Sequence, residues 1–291
     1  MIKYKHSFHA GNHGDILKHL TLVFLLEHMK SNISSPITVI DSHSSNGRFF
    51  YNDKEVLSSG EASAGISKIL SIAQKSSTPK QLNKYLEIIS TYSKNGCYPG
   101  SPEIERIILR KFDHLYLCDI NPDEILKLQN NMEQKPFIQS EGIIPVILNK
   151  NGFDIVDNLT PPQTEYGMVL IDPPYDKNDD FYDSRETICK VIKKWPKAII
   201  MLWYPINTNQ SQMLDKEAMK NQIINSKNAK TLDIQLLADS YDNACSKNKK
   251  MYGSGVLILN PPNGLEEDIK ASIPWIQKNL SESGCWSISS K

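Results

Sequence analysis

The sequence predicts an α/β fold with a mostly parallel sheet of seven strands and helices on both faces. Beyond residue 110, short apolar runs alternate with stretches of helical period, which is the pattern of repeated strand–helix–strand units. Residues 168–171 are apolar and run directly into Asp172-Pro173-Pro174-Tyr175, as expected for a buried parallel strand that two prolines stop. The last two predicted strands follow one another without a clear helix, which predicts an antiparallel final pair.

Charge and cysteine usage limit the class of protein. The 291 residues include 33 basic and 33 acidic side chains, so a nucleic-acid surface would have to be local. The five cysteines are scattered without a C-x-x-C pair, which fits reduced thiols in a cytoplasm. No apolar run approaches the roughly 18 residues that span a membrane, and the amino terminus lacks the apolar core of a signal peptide. We therefore expect a cytoplasmic protein without a membrane-spanning segment.

A polar arm, residues 3–19, opens the chain. His6, His9 and His13 could suggest zinc, but no cysteine lies nearby and Asp15 is the only close carboxylate, so no metal site is predicted. A helix is expected from Asp15, as its N-cap, towards Lys30. Polar groups at the start of an otherwise apolar helix predict that the arm covers a site. A solvated arm is the alternative.

The first strand is predicted at 37–41, and a loop of small residues follows it. An acidic residue that closes a strand before such a loop is typical of a cofactor-binding first turn. Gly47 is the one glycine in this loop, and Ser45 stands where a glycine is common. Asn46 tolerates a left-handed backbone better than most residues, so we expect the special φ to shift from Ser45 by one position.

Residues 51–98 interrupt the alternation and are interpreted as an inserted helical subdomain. Helical patterns occur at 64–73 and 81–92 without a strand between them, so residues 1–50 and 99–291 form the main domain. Pro102 suits the first turn of the next helix with Ser101 as its N-cap. Further strands are expected at 114–118, 144–148, 168–171, 198–203, 231–236 and 254–259, and further helices at 122–131, 152–158, 183–194, 209–225 and around Trp275.

Acidic residues end three of these strands, namely Asp41, Asp119 and Asp172. In an open α/β sheet, ligands bind beyond the carboxyl ends of the strands, and an acid ending the second strand can accept both hydroxyls of a ribose. Asn151-Gly152, after the third strand, could flank an adenine ring. The prolines after Asp172 supply carbonyls but no N–H, so this turn suits an amine donor.

The tetrapeptide Asp172-Pro173-Pro174-Tyr175 resembles the [DN]PPY signature of enzymes that methylate exocyclic or amide nitrogens with S-adenosylmethionine. The whole layout resembles a Rossmann-like class I methyltransferase. Longer motifs resemble the RlmJ family of bacterial 23S ribosomal RNA adenine-N6 methyltransferases. They are residues 4–19, Tyr98-Pro99-Gly100-Ser101-Pro102, Leu202-Trp203-Tyr204-Pro205, Gly253-Ser254-Gly255 and Asn260-Pro261-Pro262, which together extend over nearly the whole chain.

The resemblance implies S-adenosylmethionine as cofactor and 23S ribosomal RNA as partner. It implies cofactor contacts at His19, His43, Ser101, Asp119, Asn151, Gly152 and Asp172. It further implies that Tyr4, His6 and Lys18 hold the substrate adenosine. We expect Asp172 and the Pro173 carbonyl to accept the amine hydrogens and Tyr175 to stack on an extruded base, without a metal.

Two departures from the family pattern keep alternatives open. The family's first loop usually reads D-T-H-A-G-x-G, and Asn151 stands where an aspartate is usual. A non-catalytic RNA-binding module with a decayed cofactor loop is therefore one alternative. An enzyme of the same fold that methylates DNA or another amine is the other, and the RNA 2′-hydroxyl is the physical discriminator. The oligomeric state is open, with a monomer favoured.

Overall fold

The computed structural model describes residues 5–177, 179–225 and 229–291. The strands in this part of the chain are β1 Ile37–Asp41, β2 Arg48–Phe50, β3 Cys97–Pro99, β4 His114–Asp119, β5 Val146–Asn149, β6 Tyr166–Ile171, β7 Ile199–Asn207, β8 Thr231–Leu237, β9 Met251–Leu259 and β10 Cys285–Ser290. The helices are α1 His13–Asn32, α2 Lys54–Ser59, α3 Lys68–Ala73, α4 Asn83–Lys94, α5 Ser101–Ile108, α6 Pro122–Glu133, α7 Gly152–Leu159, α8 Asp179–Lys194, α9 Gln210–Asn225, α10 Tyr241–Ser246 and α11 Leu265–Leu280. Short 3₁₀ turns occupy His6–Phe8 and Lys80–Leu82, and a π turn occupies Ser63–Ser67.

One mixed sheet organises the molecule, with the strand order β5-β4-β1-β6-β7-β9-β8-β10. The first five strands in this order, β5, β4, β1, β6 and β7, are parallel. Strand β9 runs antiparallel to both β7 and β8. The predicted antiparallel final pair is confirmed as β8 and β9. The predicted count of seven strands is wrong, because β10 adds an eighth strand antiparallel to β8. Its sequence, Cys-Trp-Ser-Ile-Ser-Ser, is too polar to identify an edge strand from pattern alone.

The strand order reverses between β1 and β6. In the chain β1 leads to β4 and β5 on one side of the sheet, and β6 leads to β7 on the other. Connections that leave in opposite directions open a crevice at the carboxyl ends of these two strands, which is where ligands bind in open α/β sheets. Asp41 ends β1 and Asp172 follows β6, so both carboxylates lie at this crevice.

Helices cover both faces of the sheet, as predicted, and each face has its own apolar cluster. Met168 and Leu170 of β6 point to a cluster that includes side chains of α1, α5 and α11. Val169 and Ile171 point to the opposite cluster, which includes side chains of α8 and α9. Burial on both faces explains why residues 168–171 are continuously apolar rather than alternating. None of the helices in the described ranges is long and apolar enough to cross a membrane.

Residues 51–98 contain helices joined by turns and end in β3, which pairs antiparallel with β2 in a second, two-stranded sheet that was not predicted. Ile69, Tyr85 and Ile89 from this segment belong to the same apolar cluster as α1 and α11. The segment therefore packs on the core of the main body. Its treatment as an inserted subdomain stays a prediction.

The two predicted N-caps, Asp15 and Ser101, are wrong, and the reason bears on the site. The N-cap of α1 is Asn12, whose side chain accepts a hydrogen bond from Asp15 N, so the Asp15 carboxylate lies inside the first turn. The N-cap of α5 is Gly100, and the Ser101 hydroxyl donates to Asp41 instead, at 2.6 Å. In both cases a side chain that could cap a helix instead bonds to another polar side chain near the carboxyl edge of the sheet.

Candidate active site

A pocket opens at the carboxyl edge of the sheet beside the crevice between β1 and β6. It is lined by His6, Lys18, His19, His43, Ser44, Ser45, Phe49, Gly100, Ser101 and Asp172. Six of these were predicted as site residues, namely His6, Lys18, His19, His43, Ser101 and Asp172. They come from the arm, α1, the loop after β1, the start of α5 and the end of β6, so the fold brings together residues far apart in the sequence.

A chain of buried charges links the arm to the end of β6. Lys18 Nζ lies 2.6 Å from Asp172 Oδ2 and 2.9 Å from Asp15 Oδ1. On its other side, the Asp15 carboxylate accepts from Gly11 N at 2.8 Å and lies 3.1 Å from His6 Nε2. Asp15 therefore fixes both His6 and Lys18, and Lys18 in turn fixes Asp172. Asp15 was predicted only as a helix cap, although its position three residues before Lys18 places both on one helix face.

Asp15 and Lys18 favour each other's charged form. Burial alone would lower the pKa of Lys18, but the carboxylates of Asp15 and Asp172 raise it above the ordinary lysine value. Burial alone would raise the pKa of Asp15, but His6 and Lys18 hold it well below its usual range. Removing one member would leave the remaining buried charges with fewer partners, which is destabilising.

His19 presents an orphaned nitrogen at the pocket wall. Its Nδ1 lies 2.7 Å from the Tyr98 hydroxyl, whereas its Nε2 is buried with no hydrogen-bond partner among the described residues. Burial lowers the pKa of His19 to about 3, so the ring is neutral near pH 7. When Tyr98 donates to Nδ1, the Nε2 position carries the hydrogen. Because an unsatisfied buried donor is costly, this position suits a polar group of a ligand.

Asp41 forms a second layer beneath the pocket. Its carboxylate is fully buried and accepts from Ser101 Oγ at 2.6 Å and from His43 N at 3.1 Å. Burial raises its pKa to about 6, against the opposing effect of these two hydrogen bonds. Asp41 was recognised as a strand end but not named as a site residue. The acid that closes the first strand was the available signal.

The loop after β1 takes its shape from Ser45 and Gly47, which hold φ of 50° and 76°. The expected shift of the special φ away from Ser45 is wrong, because Asn46 is not left-handed. Ser45 is held by two acids: its N donates to Asp119 Oδ2 at 2.9 Å and its hydroxyl donates to Glu124 Oε2 at 3.1 Å. Asp119 thus anchors the loop from outside the pocket.

We expect Ser45→Gly to change S-adenosylmethionine affinity by less than about three-fold, since the left-handed strain of ~1–2 kcal/mol is present before any ligand binds. The effect should fall on stability, where relief of strain is offset by loss of the hydroxyl bond to Glu124. Calorimetric titration and thermal denaturation of both proteins measure the two effects. Ser58→Gly, on exposed α2, is the control for a serine-to-glycine change away from the loop. A large gain in affinity would show that the strain arises on binding.

Asn151 and Gly152 lie at the start of α7, and both have structural partners. Asn151 is the N-cap, with its side-chain oxygen 2.9 Å from Phe153 N. A Cβ at position 152 would lie 1.9 Å from the Ser42 carbonyl oxygen, so only glycine lets α7 approach the loop after β1. Neither residue lines the pocket, and their contacts with a cofactor stay predictions.

Tyr175 is packed into the protein. Its side chain lies 4.5 Å from the Phe181 ring between centroids, its hydroxyl donates to the Trp203 carbonyl at 2.8 Å, and the residue is 4% exposed. Its φ of 52° is rare for a bulky residue and marks a constrained turn. Stacking on a base stays a prediction that requires the ring to give up part of this packing. Tyr4, the other predicted aromatic contact, lies outside the described residues.

Two histidines of the arm have carboxylate neighbours. His6 lies 3.1 Å from Asp15, and His9 lies 3.1 Å from Glu61 on the segment before α3. Among the described residues, no group of three or more His, Cys, Asp or Glu side chains is arranged to hold a metal ion.

Comparisons with known proteins agree along the length of the chain. Residues 34–290 match the family model described as "Ribosomal RNA large subunit methyltransferase D, RlmJ". The chain is 29% identical to ribosomal RNA large subunit methyltransferase J of Escherichia coli, covering 98% of this chain and 96% of that protein. It is 30% identical to the Haemophilus influenzae protein of the same name, covering 99% and 98%. A crystal structure of a Legionella pneumophila protein matches with a TM-score of 0.84 at 25% identity, covering 97% and 98%.

Proposed function

The chain belongs to the RlmJ family of ribosomal RNA large subunit methyltransferases, and on that basis we propose that it methylates N6 of an adenine in 23S ribosomal RNA with S-adenosylmethionine. One observation carries the assignment of the site. The carboxylate of Asp172, before two prolines at the carboxyl end of β6, is held 2.6 Å from the buried ammonium of Lys18. An acceptor-rich turn with a fixed carboxylate suits an exocyclic amine.

The chemistry of the residues in and beside the pocket supports the proposed cofactor. We assign the orphaned Nε2 of His19 as a donor to the methionine carboxylate, and Asp41 and Asp172 as negative charges for the cationic groups. The Ser101 hydroxyl donates to Asp41, so we assign its oxygen as an acceptor for the methionine ammonium. We assign the ribose hydroxyls to Asp119 and the adenine end to His43, Asn151 and Gly152. The cofactor supplies an electrophilic methyl group on a sulfonium, so no metal is required for the transfer.

The chain's own contribution is to orient a weak nucleophile. The lone pair of an adenine amine is delocalised into the ring, and two acceptors for its hydrogens favour charge developing on nitrogen. Lys18 engages Asp172 Oδ2, and we assign Oδ1 and the Pro173 carbonyl to the two hydrogens. Asp172 then accepts the proton that nitrogen releases. Holding the amine in line with the methyl group contributes up to ~7–11 kcal/mol.

Lys18 and His6 are proposed to hold the adenosine itself. The ammonium of Lys18 has three donors, of which Asp15 and Asp172 take two, and the residue lines the pocket. The third donor is therefore available to the base or its ribose. His6 lines the same pocket through the 3₁₀ turn of the arm. Tyr4 is proposed to join them from the first residues of the arm.

The proposed cofactor site predicts a pH dependence. Asp41, with its pKa raised to about 6, is neutral well below that pH and ionised above it. Since S-adenosylmethionine is cationic, its affinity should fall about five- to ten-fold between pH 7.5 and pH 5. His43 and His19 have pKa values lowered by burial to about 4 and 3, and Lys18 stays cationic, so these groups hold their charge in this range. Calorimetric titration at both pH values measures the change in affinity. In the Asp41→Asn protein, S-adenosylmethionine affinity should differ little between the two pH values. If the affinity of that variant still falls as in the parent, another group is responsible for the pH dependence.

Methyl transfer to 23S ribosomal RNA from cells that lack this gene tests the function. We expect N6-methyladenosine by mass mapping, in RNA but not in DNA of the same sequence, because the 2′-hydroxyl separates the two. Equal transfer to DNA would favour an amine methyltransferase of broader substrate. A protein that binds RNA but shows no calorimetric signal with millimolar S-adenosylmethionine would favour the non-catalytic alternative.

A further inference from the structure

A cluster of lysines lies at the active-site edge of the sheet but outside the pocket. Lys247, Lys249 and Lys250, here called the lysine turn, follow α10 and precede β9. β9 is antiparallel to β7, so its first residue lies at the edge where the parallel strands end. Thr208, just after β7, donates from its N to the Lys250 carbonyl at 2.8 Å, which fixes the turn to this edge.

A single carboxylate arranges the turn. Asp239 Oδ2 lies 3.1 Å from Lys247 Nζ and 3.2 Å from Lys249 Nζ. The Asp239 side chain is 4% exposed, whereas the two lysine side chains are 54% and 50% exposed. The acid is thus shielded while both ammonium groups face solvent. Within residues 239–250, three lysines outnumber two aspartates, in a chain whose formal net charge is zero.

The turn lies beside two segments that approach the pocket. Burial raises the pKa of Asp176, next to Tyr175, and His9 of the arm and Lys250 oppose that shift. The charge of Lys249 likewise adds to the burial that lowers the pKa of His13, at the start of α1. Hydrogen bonds connect the loop after β6 to the same edge: Gln212 Nε2 lies 3.4 Å from the Tyr175 carbonyl, and Asn207 Nδ2 donates to Gln212 Oε1 at 2.6 Å. Asn207 pairs with Met251, which directly follows Lys250. An RNA strand that enters the pocket between these segments would pass the turn.

We propose that the lysine turn holds the phosphate backbone of the RNA next to the target adenosine, with Tyr241 of α10 as a stacking face for a neighbouring unpaired base. This proposal rests on the proposed function and names where its substrate is held. Lysine ammonium groups are compact charges suited to phosphate. Tyr241 is 39% exposed. An exposed aromatic ring beside a basic surface is typical of proteins that bind single strands, because a ring can stack on any base.

The test compares two lysine pairs of the same design. Lys190 and Lys194 also share one carboxylate, that of Asp157, with side chains 53% and 42% exposed. They lie in the last turns of α8, which leads into parallel β7, so they lie at the opposite edge of the sheet. We compare Lys247→Ala/Lys249→Ala with Lys190→Ala/Lys194→Ala, and measure both the dissociation constant and KM for unmodified 23S ribosomal RNA over a range of salt.

Loss of two phosphate contacts should weaken RNA binding about ten-fold at physiological salt and reduce the slope of log K against log salt by about 0.7 per contact. KM for RNA should rise in parallel, and the control pair should keep the parent values. Equal weakening in the control would show a general effect of charge and overturn the proposal. Parent-like RNA affinity and slope in the Lys247→Ala/Lys249→Ala protein would also overturn it.

A second variant separates RNA binding from folding. The Asp239 carboxylate loses two partners in the double variant, whereas Lys250→Glu leaves that cluster intact. We expect Lys250→Glu to weaken RNA binding at least as much as one alanine, with S-adenosylmethionine titration confirming an intact pocket. Because RNA affinity is measured without turnover, the proposed function fails separately, by an absence of methyl transfer in the parent protein. If the Lys250→Glu protein binds RNA as tightly as the parent, the proposal that the lysine turn holds the RNA backbone is overturned.

Discussion

Replacing Asp172 by alanine is expected to lower kcat for methyl transfer to RNA by ~10²–10⁴-fold, the range for loss of a positioned acid–base group. The Asp172 carboxylate is fixed by the buried ammonium of Lys18, 2.6 Å away. The two prolines after it offer only backbone carbonyls, which cannot replace a carboxylate as the acceptor of a proton. S-adenosylmethionine affinity should change far less, because His19, Ser101 and Asp41 remain. Single-turnover kinetics with saturating RNA measures the chemical step directly.

The control for Asp172→Ala is Asp179→Ala, which removes an exposed carboxylate at the start of α8. Thermal denaturation of both proteins accounts for the stability lost when buried Lys18 keeps only Asp15 as a partner. A folded Asp172→Ala protein that methylates RNA at more than about one tenth of the parent rate would be incompatible with this mechanism.

The sequence predicted the sheet well because the parallel strands are buried on both faces. Residues 37–41 and 168–171 have no solvent-facing positions. The β-branched run 37–40 and the apolar run 168–171 are therefore visible without an alignment. The edge strand β10 has the opposite character, since its residues are exposed or half-buried, and its pairing with β8 depends on tertiary context. The paired strands β2 and β3 were missed for a related reason, because three residues are too few to show a period.

For the site, strand ends located the carboxylates but not their partners. Asp41, Asp119 and Asp172 follow from the topology, because parallel strands end at one edge. The pairing of Lys18 with Asp172 spans 154 positions and depends on α1 lying across that edge, which no local pattern encodes. The grouping of six predicted residues in one pocket came from family resemblance, and the geometry adds Asp15 and Asp41 to them.

Asp15→Asn is expected to reduce kcat/KM for RNA by about 10²-fold, equivalent to ~2.7 kcal/mol. Asparagine keeps the shape and an oxygen for Gly11 N, but it removes the charge that holds His6 and Lys18. Lys18 would retain only Asp172 as a carboxylate partner, and the loss of one partner from a buried pair can cost ~3–5 kcal/mol. His6 and Lys18, which are proposed to hold the substrate, would then lose their fixed positions, although Asp15 itself does not line the pocket.

A pH profile distinguishes this positioning role from a general loss of stability. In the parent, two carboxylates raise the pKa of Lys18 above the ordinary value, so its charge persists in alkaline solution. Without Asp15, only the Asp172 carboxylate opposes the effect of burial, so the pKa of Lys18 falls and kcat/KM of the variant should decline at a lower alkaline pH than that of the parent.

Asp113→Asn provides the matched control for Asp15→Asn. Asp113 is also buried, lies 2.9 Å from Arg110 three residues away, and accepts from a backbone N, that of Ile37 at 3.0 Å. It lies at the amino end of β1, on the opposite edge of the sheet from the pocket. Thermal denaturation should show similar losses of stability in the two variants, whereas only Asp15→Asn should lose kcat/KM and gain the alkaline decline. Equal activity of the two proteins, both measured well below their melting temperatures, would reduce Asp15 to a structural residue.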